Sequence, residues 1–342
     1  MANLAAIITA PKAPLEVREV ELYTPGPNEI LVKNEVIAFN LVESKISKLG
    51  VIPIEYPAIL GSAFGGTIES VGSSVTKFKV GDRVVASKKD FANGNQYGAY
   101  QKYVVVGDLM VSKLPEGMDL AVPASLMMNL TSVVGMFGGK IGLDKPSLDG
   151  STPAKTDVKV LIYGGSSNFG GLSVQYLSQA GYKVTTTSSP KHRDFVSKLG
   201  DANIIDHTID SDALKERLVA DGPYDIVVDA VSLPKTIAIT AQVLAAQGGG
   251  KLYAMQPAFE SETLPDGVTR VFEKWPDFLY EEDKRELLTW VLETYVPQGI
   301  SKGAITPLPV EKIAGGLHGI NDALDKMLKG LSGVRLVADP WE

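Results

Sequence analysis

A short glycine-rich turn is the part of this sequence whose spacing most directly suggests chemistry. Residues 158–163 read VKVLIY and run into GGSSNFGG at 164–171. Glycines between a strand and a helix let a pyrophosphate approach the helix N-terminus, where N–H groups and the helix dipole favour negative charge. The alternative is a loop that only turns the chain. Since strand–helix units follow the turn, we predict a dinucleotide site. Its predicted contacts are Gly164, Gly165, Ser166, Ser167, Phe169, Gly170 and Gly171.

The end of the next predicted strand selects between the two nicotinamide dinucleotides. NAD enzymes usually carry an acidic residue there, about 20 residues past the first glycines, to bind the ribose 2′-OH. Residues 187–193 read TSSPKHR instead, with hydroxyls followed by basic side chains. This pattern suits a 2′-phosphate and predicts NADPH, with Ser188 and Lys191 as contacts. In the alternative interpretation, Lys191 and Arg193 are only the solvated first turn of a helix.

Composition excludes several classes of site and partner. The chain has no cysteine, so it cannot use disulfides, thiolate catalysis or cysteine-bound metal. Its histidines, His192, His207 and His318, show no ligand spacing, and we predict no metal site. A net charge of −7 disfavours nucleic acid as a partner. Without a secretory signal or a run of 18 apolar residues, we expect a cytoplasmic protein with no membrane partner.

The texture of the chain predicts an α/β protein with two kinds of sheet. Short β-rich runs broken by Gly/Pro turns fill the first hundred residues and predict a barrel-like, mostly antiparallel unit. A helix at 124–137 and a polar loop at 143–156 follow. Strands and helices then alternate to residue 255, which predicts a doubly wound parallel sheet. We expect a helix at 281–296 to pack on that sheet, and a tail with strands at 305–308 and 333–338 around a helix at 319–329.

Several further segments occur in an order that resembles the medium-chain dehydrogenase/reductase superfamily. They are residues 56–61, 65–72, 80–84, 98–105, the glycine turn and 332–337. The resemblance implies a GroES-like β-barrel catalytic domain made from residues 1–122 and 300–342. It also implies a Rossmann NADPH-binding domain inserted between them, at 123–299.

Within that superfamily, the sequence is similar to the zinc-free branch. Zinc alcohol dehydrogenases carry Gly-His-Glu where this chain has Gly61, Ser62 and Ala63. The glycine turn, the Ser-Ser-Pro at 188–190 and the loop at 143–156 resemble quinone oxidoreductases and fungal enoyl reductases that act in trans on polyketide synthases. Those relatives often show Asn-Pro-x-Asp-x-Lys, of which this chain keeps Asn40 and Lys45 but lacks the proline and replaces the aspartate.

The resemblance implies a reductase of carbon already polarised by conjugation, because no metal is available to activate a simple ketone. An enone, enoyl thioester, alkenal or quinone would accept hydride, and water or a nearby hydroxyl would supply the proton. Two alternatives stay open. In the first, the protein is an aldehyde reductase, and in the second it is a catalytically silent NADPH-binding regulatory protein.

Four residues are candidates for catalysis. Asn40 is predicted to contact the cofactor or the substrate carbonyl, and Thr131 to lie near the nicotinamide carboxamide, unless it is an ordinary buried helix threonine. Lys45 either closes on phosphate or is an exposed helix lysine. Tyr56, with Tyr97 as a second choice, lines the mouth of the cleft or only packs against loops.

Other cofactor contacts are predicted at the ends of later strands. Val231 and Met255 each end a parallel strand, where ligands bind in this fold. His207 falls where relatives place a tyrosine near the adenosine phosphates, so its charge would make NADPH binding mildly pH-dependent. Relatives dimerise through the edge of the Rossmann sheet. Because residues 257–275 are long and polar enough to cover that edge, both monomer and homodimer stay open.

Overall fold

The computed structural model describes residues 2–88, 93–149, 151, 154, 156–259 and 261–342. Two compact units divide the chain. Unit 1 comprises Met1–Met128, Leu288–Ser301 and Pro307–Glu342, and unit 2 comprises Asn129–Leu287 and Lys302–Thr306. The domain boundaries at 122/123 and 299/300 stay a prediction.

Sixteen strands lie in the part of the chain that the structure describes. They are β1 Asn3–Ile8, β2 Glu16–Val20, β3 Glu29–Ala38, β4 Ala58–Ile59, β5 Ala63–Val71, β6 Arg83–Ser87, β7 Tyr103–Gly107, β8 Val111–Lys113, β9 Lys159–Tyr163, β10 Lys183–Ser188, β11 Ala202–Asp206, β12 Ile226–Asp229, β13 Gly250–Ala254, β14 Val268–Val271, β15 Val310–Ile313 and β16 Arg335–Ala338.

The α-helices range from single turns to about four turns. They are α1 Leu41–Ser44, α2 Ala121–Val134, α3 Asn168–Gln179, α4 Arg193–Val196, α5 Ser211–Asp221, α6 Pro234–Ala246, α7 Arg285–Trp290, α8 Val296–Ser301 and α9 Ile320–Leu328. Wider π-helical turns extend three of them, at Lys45–Leu49, Gly135–Ile141 and Val291–Tyr295. Short 3₁₀ turns occupy Asn95–Tyr97, Asp108–Met110, Pro190–His192, Trp275–Tyr280 and Glu282–Lys284.

Unit 1 is built from two sheets that are antiparallel except at one pair. The smaller sheet has the order β2-β1-β4, and the larger has β15-β16-β3-β5-β6-β8 with β7 also paired to β3. Only β15 and β16 run parallel among these pairs. The apolar faces of β1 and α9 meet in a core around Ile8, Phe39 and Leu324. This arrangement agrees with the predicted barrel-like unit.

Unit 2 contains a six-stranded parallel sheet in the order β11-β10-β9-β12-β13-β14. The strand order reverses between β9 and β12, and ligands bind at such a switch point in open α/β sheets. Its central strands β9 and β12 are buried apolar runs, with residues such as Val160, Leu161 and Ile162, as expected when helices cover both faces. The predicted doubly wound fold is confirmed.

Two predictions about the later chain are wrong in detail. The second half of the predicted helix at 281–296 lies in unit 1, where the Ser112 hydroxyl donates to Leu292 O at 2.6 Å, and not on the parallel sheet. The strand at 305–308 is absent from the described residues, and β15 forms five residues later, after Pro309. Part of the segment 257–275 covers the edge of β13, because it forms the paired strand β14. The choice between monomer and homodimer stays a prediction. In the predicted loop at 143–156, residues 150, 152, 153 and 155 lie outside the described residues.

In the part of the chain that the structure describes, one helix is long and apolar enough to cross a membrane by length and composition. It is Ala121–Ile141, and 72% of its most apolar 18-residue window is buried inside the protein. A core helix of a globular protein passes the same test, so this helix is weak evidence for a membrane span.

Candidate functional site

The glycine turn joins β9 to α3 at the switch point of the unit 2 sheet. Gly164 has a φ of +95°, a left-handed conformation that side chains rarely adopt. The Gly164 N–H donates to Thr187 Oγ1 at 2.9 Å, and the Gly165 N–H donates to Thr187 O at 2.9 Å. Ser167 caps α3, because its hydroxyl oxygen accepts from the Gly170 N–H at 3.0 Å. The turn is thereby fixed to the end of β10.

Side chains larger than hydrogen do not fit at two positions of this turn. A Cβ at Gly165 would overlap the Thr186 hydroxyl, and a Cβ at Gly170 would overlap the carbonyl oxygen of Gly164. The start of α3 therefore sits directly against the turn. A cradle made of backbone, next to a helix N-terminus, fits the pyrophosphate of a dinucleotide.

The residues of the turn that are predicted to contact the cofactor differ in how exposed their side chains are. Ser166 and Ser167 are half-buried, whereas the Phe169 ring is 4% exposed and belongs to the apolar interior of unit 2. Phe169 is therefore placed for packing, and its own carbonyl accepts from Ser173 Oγ at 2.8 Å.

Basic side chains gather where β10 ends. Lys191 and Arg193 are exposed in the turn after Ser188, and Arg193 Nη1 donates to Ile204 O at 3.3 Å. His192 is half-buried, and its pKa is lowered by desolvation, then by Lys191 and His207. The His207 ring lies 6.2 Å from that of Tyr163. Ser188, Lys191, His192 and His207 thus lie at the same end of the sheet.

A carboxylate lies closer to this end than the sequence indicates. Asp206 is the β11 residue in register with Ser188. Its Oδ1 accepts from the Thr208 N–H at 2.8 Å and the Thr208 hydroxyl at 2.7 Å, which lowers the pKa of Asp206. The carboxylate is thereby engaged in its own turn.

The ends of β12 and β13 are joined by a hydrogen-bond chain. Ser232 Oγ donates to Asp229 O at 2.6 Å and accepts from the Met255 N–H at 2.8 Å. Gln256 Nε2 donates to Val231 O at 2.7 Å. Val231 and Met255 are both half-buried, so the structure brings these two predicted contacts together. Ser232 has a φ of +55°, which is strained for a residue with a side chain.

A buried aspartate, Asp229, is part of this chain of hydrogen bonds. Asp229 is fully buried, and its Oδ1 accepts from the N–H groups of Val231 at 2.9 Å and Ser232 at 2.7 Å. Its Oδ2 has no hydrogen-bond partner among the described residues. Burial raises the pKa of Asp229 and outweighs the lowering by those hydrogen bonds and by Arg270.

Arg270 of β14 anchors the segment after β13. Its side chain is 8% exposed, pairs with Glu262, and donates from Nη2 to Gln256 O at 2.6 Å. Through Gln256, this arginine fixes the position of the segment that also carries Met255. Because the predicted ligand site lies at these strand ends, Arg270 is placed to position it.

Unit 1 contains a second concentration of polar side chains, which we call the Glu43 cluster: Asn40, Glu43, Ser62 and Arg335. Arg335 Nη2 donates to Asn40 Oδ1 at 2.9 Å and to Phe39 O at 2.8 Å. Asn40 Nδ2 donates to Ser62 Oγ at 3.2 Å. Glu43 hydrogen-bonds to Ser62 through Oε1 and accepts from the Asn40 N–H through Oε2 at 3.0 Å.

Burial dominates the electrostatics of the Glu43 cluster. Glu43 is 3% exposed, and desolvation raises its pKa, although Ser62, the backbone and Arg335 lower it. Burial lowers the pKa of Arg335 to about 10, so the guanidinium stays cationic at neutral pH. Asn40 is 5% exposed, and both ends of its amide are used within the cluster. Its contact with a ligand stays a prediction.

The other predicted catalytic residues are dispersed. Lys45 is half-buried, not exposed, and desolvation lowers its pKa. Tyr56 packs against the core of unit 1, and the Tyr97 hydroxyl donates to Glu29 Oε1 at 2.6 Å. Thr131 is 1% exposed in α2 of unit 2. Both tyrosines are half-buried, and their place at the mouth of the cleft stays a prediction.

Sequence reasoning missed six polar residues that the structure places at these sites. They are Glu43, Ser62 as a hydrogen-bonding group, Asp206, Asp229, Arg270 and Arg335. The sequence around each of them shows no motif or spacing that indicates a functional site. In the sequence, Glu43 stands out only as the residue that replaces the aspartate of the family motif.

Metal ligands are scarce in both units. Within the described ranges, no three His, Cys, Asp or Glu side chains cluster closely enough to hold a metal ion. In the Glu43 cluster, one carboxylate stands with an amide, a hydroxyl and a guanidinium, and this donor set does not suit zinc.

Known proteins resemble this chain over nearly its whole length. Residues 26–116 match the family model of the alcohol dehydrogenase GroES-like domain. The dehydrogenase azaJ of Aspergillus niger is 30% identical, with 98% of each chain covered. The zinc-binding alcohol dehydrogenase domain-containing protein cipB of Emericella nidulans is 31% identical, covering 98% of this chain and 97% of cipB. The trans-enoyl reductase himH of Aspergillus japonicus is 29% identical, covering 91% and 89%.

Solved structures share the fold. A quinone oxidoreductase of Pseudomonas syringae aligns with a TM-score of 0.76 at 20% identity, covering 99% of this chain and all of the other. The mycobacterial protein Rv1454c, solved in complex with NADPH, aligns with a TM-score of 0.72 at 22% identity, covering 98% and 100%.

Proposed function

Because this chain belongs to the medium-chain dehydrogenase/reductase superfamily of oxidoreductases, we propose that it is an NADPH-dependent reductase of activated C=C bonds or quinones. The proposal includes catalysis without zinc. It also includes a small-molecule substrate and a cytoplasmic location.

The glycine turn at the switch point of the unit 2 sheet carries the cofactor proposal. Its backbone cradle lies at the N-terminus of α3, between the ends of β9 and β12. Gly164, Gly165 and Gly170 would hold the pyrophosphate, and the segment with Val231 and Met255 would hold the nicotinamide end. When bound, NADPH supplies a hydride to an electron-poor carbon.

The basic side chains after β10 support NADPH over NADH. Lys191 and Arg193 offer charged donors to a 2′-phosphate, and the Ser188 hydroxyl adds a neutral donor. Asp206 opposes this choice by its charge, but its Oδ1 is engaged by Thr208. The solved complex of Rv1454c with NADPH supports the same cofactor.

The acceptor class follows from chemistry and from the relatives. Without a Lewis acid, hydride transfer favours a carbon that conjugation already polarises. The names trans-enoyl reductase and quinone oxidoreductase among similar proteins support that class.

A titration tests the cofactor. We expect NADPH to bind at least tenfold more tightly than NADH, as measured by quenching of protein fluorescence. The double substitution Lys191→Ala with Arg193→Ala should weaken NADPH about tenfold, or about 1.4 kcal/mol, and leave NADH within about twofold. Lys198→Ala removes one positive charge from an exposed position nearby and serves as the control for a general loss of charge. Tighter binding of NADH would refute the choice.

A panel of acceptors tests the reaction. Enones, alkenals, quinones and a saturated aldehyde are each mixed with enzyme and NADPH, and the loss of nicotinamide absorbance is followed. We expect turnover on conjugated acceptors or quinones. Turnover on the saturated aldehyde alone would indicate an aldehyde reductase. Cofactor binding without turnover on any acceptor would indicate a silent regulatory protein.

A further inference from the structure

The Glu43 cluster ends at one half-buried hydroxyl, and we propose that Ser62, backed by Glu43, delivers the proton that completes reduction of the acceptor. Asn40, Glu43 and Arg335 are each less than 9% exposed, whereas Ser62 is half-buried. Of these four side chains, Ser62 is therefore the one placed to touch a substrate. This inference rests on the proposed reductase function, since the reduced acceptor takes the proton.

The orientation of Asn40 is set by Arg335. A guanidinium can only donate, so the amide oxygen of Asn40 must face Arg335 Nη2, which lies at 2.9 Å. The amide nitrogen then faces Ser62 and donates to its Oγ at 3.2 Å. One lone pair of the Ser62 oxygen is thus always occupied.

The second lone pair of Ser62 Oγ depends on the protonation of Glu43. With Glu43 ionised, the Ser62 hydroxyl donates to Glu43 Oε1. When Glu43 is protonated this hydrogen bond reverses, so that Glu43 donates to Ser62 Oγ and, together with Asn40, fills both lone pairs. The Ser62 hydrogen is then available on the side of Met128 Sδ, which lies at 3.3 Å. Because thioether sulfur is a weak acceptor, a substrate atom there can take the hydrogen.

The surroundings of Glu43 accommodate both of its charge states. Desolvation favours the acid and raises the pKa of Glu43. After proton loss, the carboxylate keeps the Asn40 N–H at 3.0 Å and faces the Arg335 cation from β16. Tyr100 also faces Glu43, and its own pKa is raised well above the usual range by burial and by Glu43. On α9, which packs against α1, Asp325 pairs with Lys48 at 2.8 Å.

The step balances in atoms and electrons. Hydride adds to the β-carbon of a conjugated acceptor, and the C=C electron pair moves to the α-carbon and carbonyl oxygen. The acceptor is reduced and the nicotinamide is oxidised. The C–H bond at the α-carbon forms as the Ser62 O–H bond breaks, and the Ser62 O–H bond re-forms as the Glu43 O–H bond breaks. Glu43 regains a proton from water before the next turnover.

Substitution of Ser62 tests the delivery of the proton. With an α-methyl enone, we expect Ser62→Ala to lower kcat on the order of 100-fold, within the usual range for loss of a general acid, with KM changed less than about threefold. Wild-type enzyme in D₂O should give one configuration at the α-carbon. Ser62→Ala should give a mixture, because water then protonates both faces.

Glu43→Gln tests whether Glu43 supplies the proton that Ser62 delivers. Since kcat needs protonated Glu43, the wild-type rate should fall as the pH rises through the pKa of Glu43, and Glu43→Gln should lack this limb. In the protein without ligands, infrared difference spectra should still show a protonated carboxyl band at pH values above about 4.3, the ordinary pKa of glutamate. Glu43→Gln should remove this band. Ser47→Ala is the matched control, since Ser47 is buried in the same helical segment and its hydroxyl has no partner among the described residues.

Two results would overturn the inference. One is a Ser62→Ala enzyme with wild-type kcat and an unchanged product configuration. The other is the absence of the carboxyl band from the wild-type protein. If the wild-type enzyme reduces no acceptor in the panel, the proposed function fails instead, and the infrared titration still decides the state of Glu43.

Discussion

The glycine turn of unit 2 and the Glu43 cluster of unit 1 are built on opposite principles. The turn is made from the backbone of eight consecutive residues, 164–171, and a Cβ at Gly165 or Gly170 would clash with neighbouring atoms. The cluster presents side chains from residues 40, 43, 62 and 335, which only the tertiary fold brings together. A site made of backbone is fixed by local geometry, whereas a site made of distant side chains is fixed by packing.

We expect the largest effect from a substitution that disrupts the glycine turn. Gly170→Ala places a methyl group against the Gly164 carbonyl oxygen, and the backbone there cannot move aside cheaply. We expect a loss of about 3 kcal/mol in unfolding free energy, as for overpacking, and about 100-fold weaker NADPH binding. Chemical denaturation and fluorescence titration measure the two.

Gly107→Ala is the control for that substitution, because a Cβ at Gly107 has no neighbour closer than 4.0 Å. It should change stability by less than about 1 kcal/mol and leave NADPH binding intact. If Gly170→Ala were equally harmless, the turn would not need its glycine.

A second prediction asks whether the backbone site also depends on a distant side chain. Arg270→Met leaves Glu262 and the Gln256 carbonyl without their buried partner. We expect a loss of about 3 kcal/mol in unfolding free energy, as for broken buried ion pairs. Because the segment after β13 loosens, the KM for NADPH should rise about tenfold with kcat changed less, and Arg270→Lys should recover part of the affinity.

The control for Arg270 is Lys215→Met, which breaks an exposed pair with Asp212 at 3.0 Å. Such pairs contribute less than about 1 kcal/mol. Equal effects of the two substitutions would show that Arg270 has no special role in holding the segment.

The same contrast explains what could be predicted from the sequence. The turn, the order of strands and helices in unit 2 and the predicted contacts at Val231 and Met255 follow from local patterns that repeat along the chain. Arg335 and Glu43 are separated by 292 positions, and no local pattern reports their contact. The strand β2 gives a weak sequence pattern, because three of its five residues are charged and exposed and its two valines are only half-buried.

Misplaced elements have a similar origin. The helical segment at 281–296 has the right period, but periodicity does not reveal which sheet receives its apolar side. Leu292 accepts a hydrogen bond from Ser112 of β8, and that contact assigns the segment to unit 1. Likewise, the strand β14 lies in the polar segment at 257–275, and its pairing with β13 is seen only in the structure.

The smallest expected effect sharpens the account of the side-chain site through the pH dependence of stability. Burial raises the pKa of Glu43 in the folded protein, so the folded state binds more protons than the unfolded state once the pH exceeds about 4.3. Wild-type stability should therefore fall as the pH rises through this window, and Glu43→Gln should lack that part of the decline. Near pH 4 the two proteins should differ by no more than about 1 kcal/mol, since the neutral amide keeps similar neighbours. Urea denaturation between about pH 4 and 8 measures both curves, with Glu55→Gln at an exposed position as the control. Parallel curves for wild type and Glu43→Gln would mean that Glu43 is ionised as readily in the folded protein as in the unfolded chain, because the Arg335 cation would then compensate fully for burial.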